Sequence, residues 1–136
     1  MAVLYKFEVF TPYRLFFAGL AEIVTMTLAD GKVGIMAHHS PFIAPVETGV
    51  LRIKTEDSQW RCAFIGCGIL EVTEKKTVLL TDTAEWPEEI NTERAITQGN
   101  LARENLETAM FKFEIIQAKK ELQRSEYRLK VAGMKG

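Results

Sequence analysis

The period of the apolar residues changes once along the chain, and that one change restricts the fold more than any other feature. From Val3 to about Asp82, apolar and polar residues alternate in short segments broken by turn residues, as in strands with one face buried. Beyond Glu85-Trp86-Pro87-Glu88-Glu89, β-branched residues thin out and Ala, Glu, Lys, Arg and Leu take over. The period there moves to about three and a half, which is helical. The expected fold class is an all-β N-terminal sandwich of about nine to ten short antiparallel strands, followed by a C-terminal α-helical hairpin. Residues 1–84 are expected to form the sandwich, 85–90 a linker and 91–136 the two-helix hairpin.

The turns place the strands. Val3, Tyr5, Phe7 and Val9 share one face of the first, with Lys6 and Glu8 on the other, and Thr11-Pro12 ends it. Arg14 to Ala18, Leu20 to Leu28, Val33 to Met36 and Phe42 to Thr48 are expected as further strands, with Ala29-Asp30-Gly31 a turn. Val50 to Lys54 and Gln59 to Ile65 flank the polar Thr55-Glu56-Asp57-Ser58, and Ile69 to Thr73 and Thr77 to Asp82 flank Glu74-Lys75-Lys76. Both have the pattern of an antiparallel hairpin.

Asn91 or Thr92 can cap the first helix, and the acidic cluster just upstream lies favourably beside its positive end. Its expected buried stripe is Ala95, Gly99, Ala102 and Leu106, small side chains that let another helix come close, although Gly99 lowers helix propensity. After a break near Glu107-Thr108, Phe111, Ile115, Ala118, Leu122, Ser125 and Leu129 recur at alternating spacings of four and three, a heptad seam with one polar interruption. A short connection makes the helices antiparallel. Two narrow seams bury little area, so docking on the sandwich and release to another partner should differ by only a few kcal/mol.

At 136 residues and 47% hydrophobic, the chain can bury a core without staples. A net charge of −1 gives no global field for nucleic acid, which is not an expected partner. Cys62 and Cys67 are too few and too close for a disulfide framework or a four-ligand zinc site; reduced thiols are expected, Cys62 as a small core residue and Cys67 at a bend between Gly66 and Gly68. The N-terminal residues carry no signal-peptide run, and no apolar stretch is long enough to cross a bilayer. The expectation is a cytoplasmic protein that reaches a membrane only through partners.

The stretch from Gly31 to Ile43, continuing to Gly49-Val50-Leu51-Arg52-Ile53, carries the densest turn chemistry and is expected to present a docking loop. His38 and His39 are adjacent, so in extended backbone they point to opposite sides and cannot share a metal as an i, i+4 helical pair does. No Walker motif, no Ser-His-Asp spacing and no metal cluster is present in the sequence.

These motifs, in this order, resemble the epsilon subunit of bacterial F-type ATP synthases. Gly34-Ile35, His39, Pro41, Gly49 and Arg52-Ile53 fall at the positions of that family's glycine-rich hairpin, His-x-Pro turn and Gly-Val-x-Arg-Ile segment. Ala37-His38 stands where Pro-Gly is frequent. Gly66-x-Gly68-Ile69-Leu70-Glu71-Val72 and the segment from Thr77 to Glu85 resemble two further family segments at matching separation, with Gly66 in place of serine and Cys67 in place of glycine.

The resemblance implies a non-catalytic rotor subunit of the central stalk, with catalysis left to the alpha and beta subunits. The sandwich would bind the gamma subunit and the ring of c subunits, so that ion-driven rotation is coupled to ATP synthesis. Lys32, His38, His39, Pro41 and Phe42 are the implied partner-binding residues, with Lys32 to His38 facing the ring. Between Lys119 and Gly136, six basic residues (Lys119, Lys120, Arg124, Arg128, Lys130, Lys135) face two acidic ones, a local charge of +4. Two readings stand. One is a solvated face with cations at a helix C-terminus. The other, implied by the family, is an extended helix whose Arg124, Arg128 and Lys130 press on an acidic segment of beta in the alpha/beta head and hinder hydrolysis.

No cofactor or metal is required. Some family members bind regulatory ATP through an Ile/Leu-Asp-x-x-Arg-Ala motif and arginines of the second helix. Here Ile90-Asn91-Thr92-Glu93-Arg94-Ala95 has Asn for Asp, and Leu101 replaces a basic residue from which Arg103 is displaced by about half a turn. The resemblance therefore implies weak ATP binding at most, with Glu85 and Asn91 near the base and Arg94, Arg124 and Arg128 near the phosphates. The implied location is peripheral, on the cytoplasmic face of the bacterial plasma membrane. A competing class, a free-standing β-sandwich ligand-binding module with a helical tail, would need an exposed aromatic platform, which Trp60 and Trp86 do not obviously form.

Overall fold

A computed structural model describes residues 3–134. Lys135, counted above in the basic helix end, lies outside them. Among the described residues there are nine strands: β1 (Tyr5–Phe10), β2 (Leu15–Leu28), β3 (Gly31–Met36), β4 (Phe42–Val46), β5 (Gly49–Thr55), β6 (Trp60–Ile65), β7 (Gly68–Val72), β8 (Lys76–Thr81) and β9 (Ala84–Glu85). Helices α1 (Thr92–Thr108) and α2 (Lys112–Ala132) follow.

β2 differs from expectation, running for 14 residues through Gly19 where two strands were expected. Gly19 continues the ladder opposite Phe7, and without a turn signal nothing stops the strand there. The first half of β2 pairs with β1 and the second half with β3 and β5, the register shifting between Ala21 and Ile23. This bulge lets one strand serve both leaves. The first leaf runs β2, β1, β8, β7, β4, and the second runs β3, β2, β5, β6, β9. Every pairing is antiparallel except β1 with β8, whose partners come from opposite ends of the sandwich sequence and share no turn.

Alternation fills the space between the leaves. Phe7, Val9, Val24, Ile35, Leu51, Ile53, Ile65, Leu70 and Leu79 are fully buried there. The Tyr5 hydroxyl donates to the Ile35 carbonyl at 2.6 Å, and burial pushes its pKa upward. Gly66 and Gly68 are explained by close approach: a Cβ on Gly68 would lie 2.0 Å from the Leu80 carbonyl oxygen, and one on Gly66 would lie 1.9 Å from Asp82 Oδ1.

Residues 85–90 are not a slack tether. Ala84 and Glu85 pair with β6, Trp86 stacks on Phe16 at 4.3 Å between ring centroids, and Pro87–Glu89 form a 3-10 turn. Arg14 grips Glu89 through two hydrogen bonds of 2.8 and 2.9 Å.

The Asn91 side chain caps α1, accepting from the Arg94 backbone N–H at 3.0 Å. The expected stripe holds for Ala95, Gly99 and Ala102, which are buried against α2. On α2 the helix contact is narrower than a full heptad seam: Ala118 and Ser125 are buried, whereas Phe111 is the residue preceding the helix and stays 61% exposed. A second face of α2 packs on the sandwich, with Val131 joining Phe64 and Ile90 in a small separate core that Val50 and Tyr127 flank.

Gly99 is where the helices cross most closely, because a Cβ there would approach Ser125 Oγ to 2.7 Å. Gly99→Ala should therefore destabilise the hairpin by about 1–2 kcal/mol through overpacking, outweighing a helix-propensity gain of up to about 1 kcal/mol. Hydrogen exchange across α1 measures it, and stabilisation would mean that the helices can separate freely. The Glu89 carboxyl is held below its usual range, chiefly by its hydrogen bonds from Arg14. A depressed folded pKa adds stability above the unfolded value and loses it as pH falls through the folded one. The stability difference between the parent chain and Arg14→Gln should thus be present at pH 7 and be lost in acid, as pH falls below the ordinary glutamate range and through the depressed Glu89 pKa, in chemical denaturation.

Candidate functional site

Chemistry-bearing residues gather at two places. The first is the connection from β3 to β4. It is shorter than expected, because Gly31 to Met36 is strand and only Ala37 to Pro41 are loop. His38 takes a positive φ of 64° there, a conformation that glycine adopts freely and other residues seldom do. His39 lies 5.0 Å from the Phe42 ring and donates from Nδ1 to the Ser40 carbonyl at 3.1 Å, which orients the imidazole. His38, His39 and Pro41 line a cleft of about 470 Å³ whose other wall is the β7–β8 turn, from Thr73 to Thr77. Phe42 supports it through His39.

Lys32 does not belong to this group. It is the second residue of β3, opposite Thr27, while the loop follows the far end of the strand, on the order of 20 Å away at about 3.3 Å per residue. Reading a paired strand as part of a loop caused the error. Lys32 instead faces Lys130 of α2 across another cleft.

The second place is the junction between hairpin and sandwich. Arg124 donates to Asp82 Oδ2 at 2.6 Å, and Arg128 donates to Glu85 at 3.0 Å while lying 4.7 Å from the Phe64 ring centroid. The Arg124 side chain is only 17% exposed and Arg128 21%, so these cations are held down rather than solvated. Neither expected reading of the basic helix end described them in this state. Lys130 has no such tie and remains exposed.

The residues expected around ATP come together in part. Glu85, Asn91, Arg94 and Arg128 line one cleft of about 340 Å³ with Glu89, Ala95 and Gln98. Arg124 is not among them, because it lies one turn earlier on the same face of α2 and is paired there with Asp82. Inside the cleft Arg128 is paired with Glu85, Glu89 is held by Arg14, and Asn91 is occupied as a cap. Arg94 is the one guanidinium there without a carboxylate partner among the described residues. An incoming triphosphate would meet two carboxylates beside two guanidiniums.

Sequence reading missed a further surface. The first leaf turns its outer face to solvent, and register aligns Leu15, Phe10, Leu80, Ile69 and Pro45 as one row across it. Leu15, Leu80 and Ile69 are 52%, 51% and 50% exposed. Consecutive apolar residues, Leu79-Leu80 and Ile69-Leu70, were the available signal, since neighbours in a strand point to opposite faces. Trp60 and Trp86 form no comparable platform, because Trp86 is stacked beneath Arg61, 3.8 Å from its ring centroid.

The family model for the ATP synthase delta/epsilon chain beta-sandwich domain matches residues 4–87. The chain belongs to that family. An ATP synthase epsilon chain from Caldicellulosiruptor bescii is 40% identical over 94% of this chain and 93% of its own length. One from Caldanaerobacter subterraneus is likewise 40% identical over 94% and 93%. The fold matches a chain of the Euglena gracilis mitochondrial ATP synthase, solved as an OSCP/F1/c-ring assembly, with a TM-score of 0.82, 19% identity, and coverage of 97% of this chain and 82% of the other.

In this epsilon-family chain the two junction ion pairs set how firmly the hairpin docks. Partly exposed pairs contribute about 0.5–1 kcal/mol each. Asp82→Asn combined with Glu85→Gln should therefore raise opening of α2 roughly five- to thirtyfold in hydrogen exchange at low salt. Unchanged protection would make the Phe64 contact alone sufficient.

Proposed function

We propose that the chain is a non-catalytic rotor subunit of the central stalk of an F-type ATP synthase, peripheral on the cytoplasmic face of the bacterial plasma membrane. Its sandwich joins the gamma subunit to the c ring, coupling ion-driven rotation to ATP synthesis. Its hairpin restrains ATP hydrolysis by contact with the alpha/beta head. The observation that carries the sandwich role is the exposed apolar row on the first leaf. An apolar row of this kind suits a torque-bearing interface, with polar contacts such as the His39 turn fixing register at one end. Lys32, far from that turn, is left out of the ring contact. Leu80→Asp should weaken gamma binding at least tenfold without unfolding the sandwich, since the residue is exposed; unaltered affinity would remove this face from the interface.

For the hairpin, the supporting observation is that Arg124 and Arg128 are already bound to acidic groups of the sandwich. Release and contact with an acidic surface of beta would exchange one set of ion pairs for another. The two partners of a pair should then give effects of opposite sign on ATP hydrolysis by the assembled complex. Asp82→Asn frees the hairpin and strengthens inhibition, whereas Arg124→Ala removes the contact with beta and relieves it. Effects of the same sign would discard the exchange.

Regulatory ATP is proposed only as a weak ligand of the cleft at Glu85, Asn91, Arg94 and Arg128, because its carboxylates oppose a polyanion. Calorimetry with the isolated subunit should give half-saturation no tighter than the millimolar range, and Arg94→Ala should abolish it.

A further inference from the structure

On the opposite flank of α2 from the Arg128 cleft, the outer face of the second leaf carries a concentration of positive charge that neither role above uses. Thr25 pairs across the ladder with Arg52, and Thr27 with Lys32, so that all four side chains share one face. Tyr127 and Lys130 of α2 close over this patch, enclosing a cleft of about 150 Å³. Among the described residues, no carboxylate lines it. Glu126, one turn before Lys130, lines the adjoining groove with Lys119, and Glu47, whose backbone N–H donates to the Thr27 carbonyl at 2.9 Å, does not line the cleft.

Among the described residues, the ion pairs occupy Arg14, Lys54, Lys76, Arg124 and Arg128, and none includes Lys32, Arg52 or Lys130. Three unpaired cations around one small cleft repel one another, in a chain whose net charge is −1. Three hydroxyls, from Thr25, Thr27 and Tyr127, stand among them and can donate to an anion. The volume equals about five waters at roughly 30 Å³ each, and is below the roughly 300 Å³ at which sites for whole small molecules begin. A single tetrahedral oxyanion fits these conditions, and a nucleoside does not.

We propose that this cleft binds an oxyanion of the phosphate class, and that the bound anion ties α2 to the second leaf. Lys130 comes from the helix while Lys32 and Arg52 come from the sheet, so the anion bridges two elements that otherwise meet here only through Tyr127 and its apolar neighbours. Release of the hairpin dismantles the site. Binding and docking are therefore linked, and the anion favours the docked hairpin by mass action.

The test is a titration of the full-length subunit with inorganic phosphate, followed by backbone amide shifts against sodium chloride at matched ionic strength. Saturable shifts at Lys32, Arg52 and Lys130 are expected in the millimolar range, weakened at least tenfold by Arg52→Gln and by Lys130→Gln. Both positions are exposed, so each variant should fold. Identical shifts with chloride, indifference to both substitutions, or shifts confined to Arg94 and Gln98 would overturn the site. Sedimentation with phosphatidylglycerol vesicles separates two sources of the same group. Capture that free phosphate displaces assigns a lipid headgroup, whereas saturation by phosphate without capture assigns the free anion. Vesicle capture with no response to phosphate would also overturn it.

Discussion

From Cys62 to Ile65, strand β6 is buried on both faces, and the arrangement of the molecule follows from that. Ala63 and Ile65 point between the leaves while Cys62 and Phe64 point outward, yet all four are buried. A two-layer sandwich cannot cover an outward phenylalanine by itself. The hairpin must lie on this strand, with Val131 and Ile90 against Phe64. Burying a side chain of this kind is worth about 1.5–3 kcal/mol, so three residues supply most of the apolar attachment. Residues 85–90 make it efficient: with β9 paired to β6 and Trp86 stacked on Phe16, the start of α1 is fixed close to where α2 must return.

Charge then refines what apolar contact begins. The Asp82 and Glu85 carboxylates lie along the edge of the Phe64 contact and meet Arg124 and Arg128, one turn apart on α2. Gly66 is part of this arrangement, since a side chain there would occupy the place of the Asp82 carboxylate. The glycine that replaces the serine frequent in the family thus has a physical reading: it leaves Asp82 free to reach the hairpin.

Much of this was legible from local pattern. The change of period separated strands from helices, turn residues bounded most strands, and the small-residue stripe Ala95, Gly99 and Ala102 predicted a close helix contact. Local pattern failed where the cause was distant. Nothing near Gly19 announces that β2 crosses between leaves, because the bulge answers to strands from different parts of the chain. Lys32 looked like loop because glycines flank it, although β2 pairs with it. Glu85, Asn91, Arg94 and Arg128 do converge, but Arg124 pairs with Asp82 and Glu89 enters through Arg14, pairings of 42 and 75 residues' separation that no spacing rule anticipates.

The same arginines cannot hold the sandwich and press on a partner at once, and magnitudes decide how sharp the choice is. Reversing a population from 1:99 to 99:1 needs about 5.5 kcal/mol of differential affinity. A docked face of three buried side chains and two partly exposed ion pairs contributes a few kcal/mol after the loss of side-chain freedom, the same order. Neither state can dominate by tens of kcal/mol, so an acidic partner surface able to accept both guanidiniums is sufficient to move the equilibrium, and any ligand that binds only the docked form opposes it. Apolar burial places the hairpin on β6; charge, which salt, acidity and anions can change, determines how long it stays there.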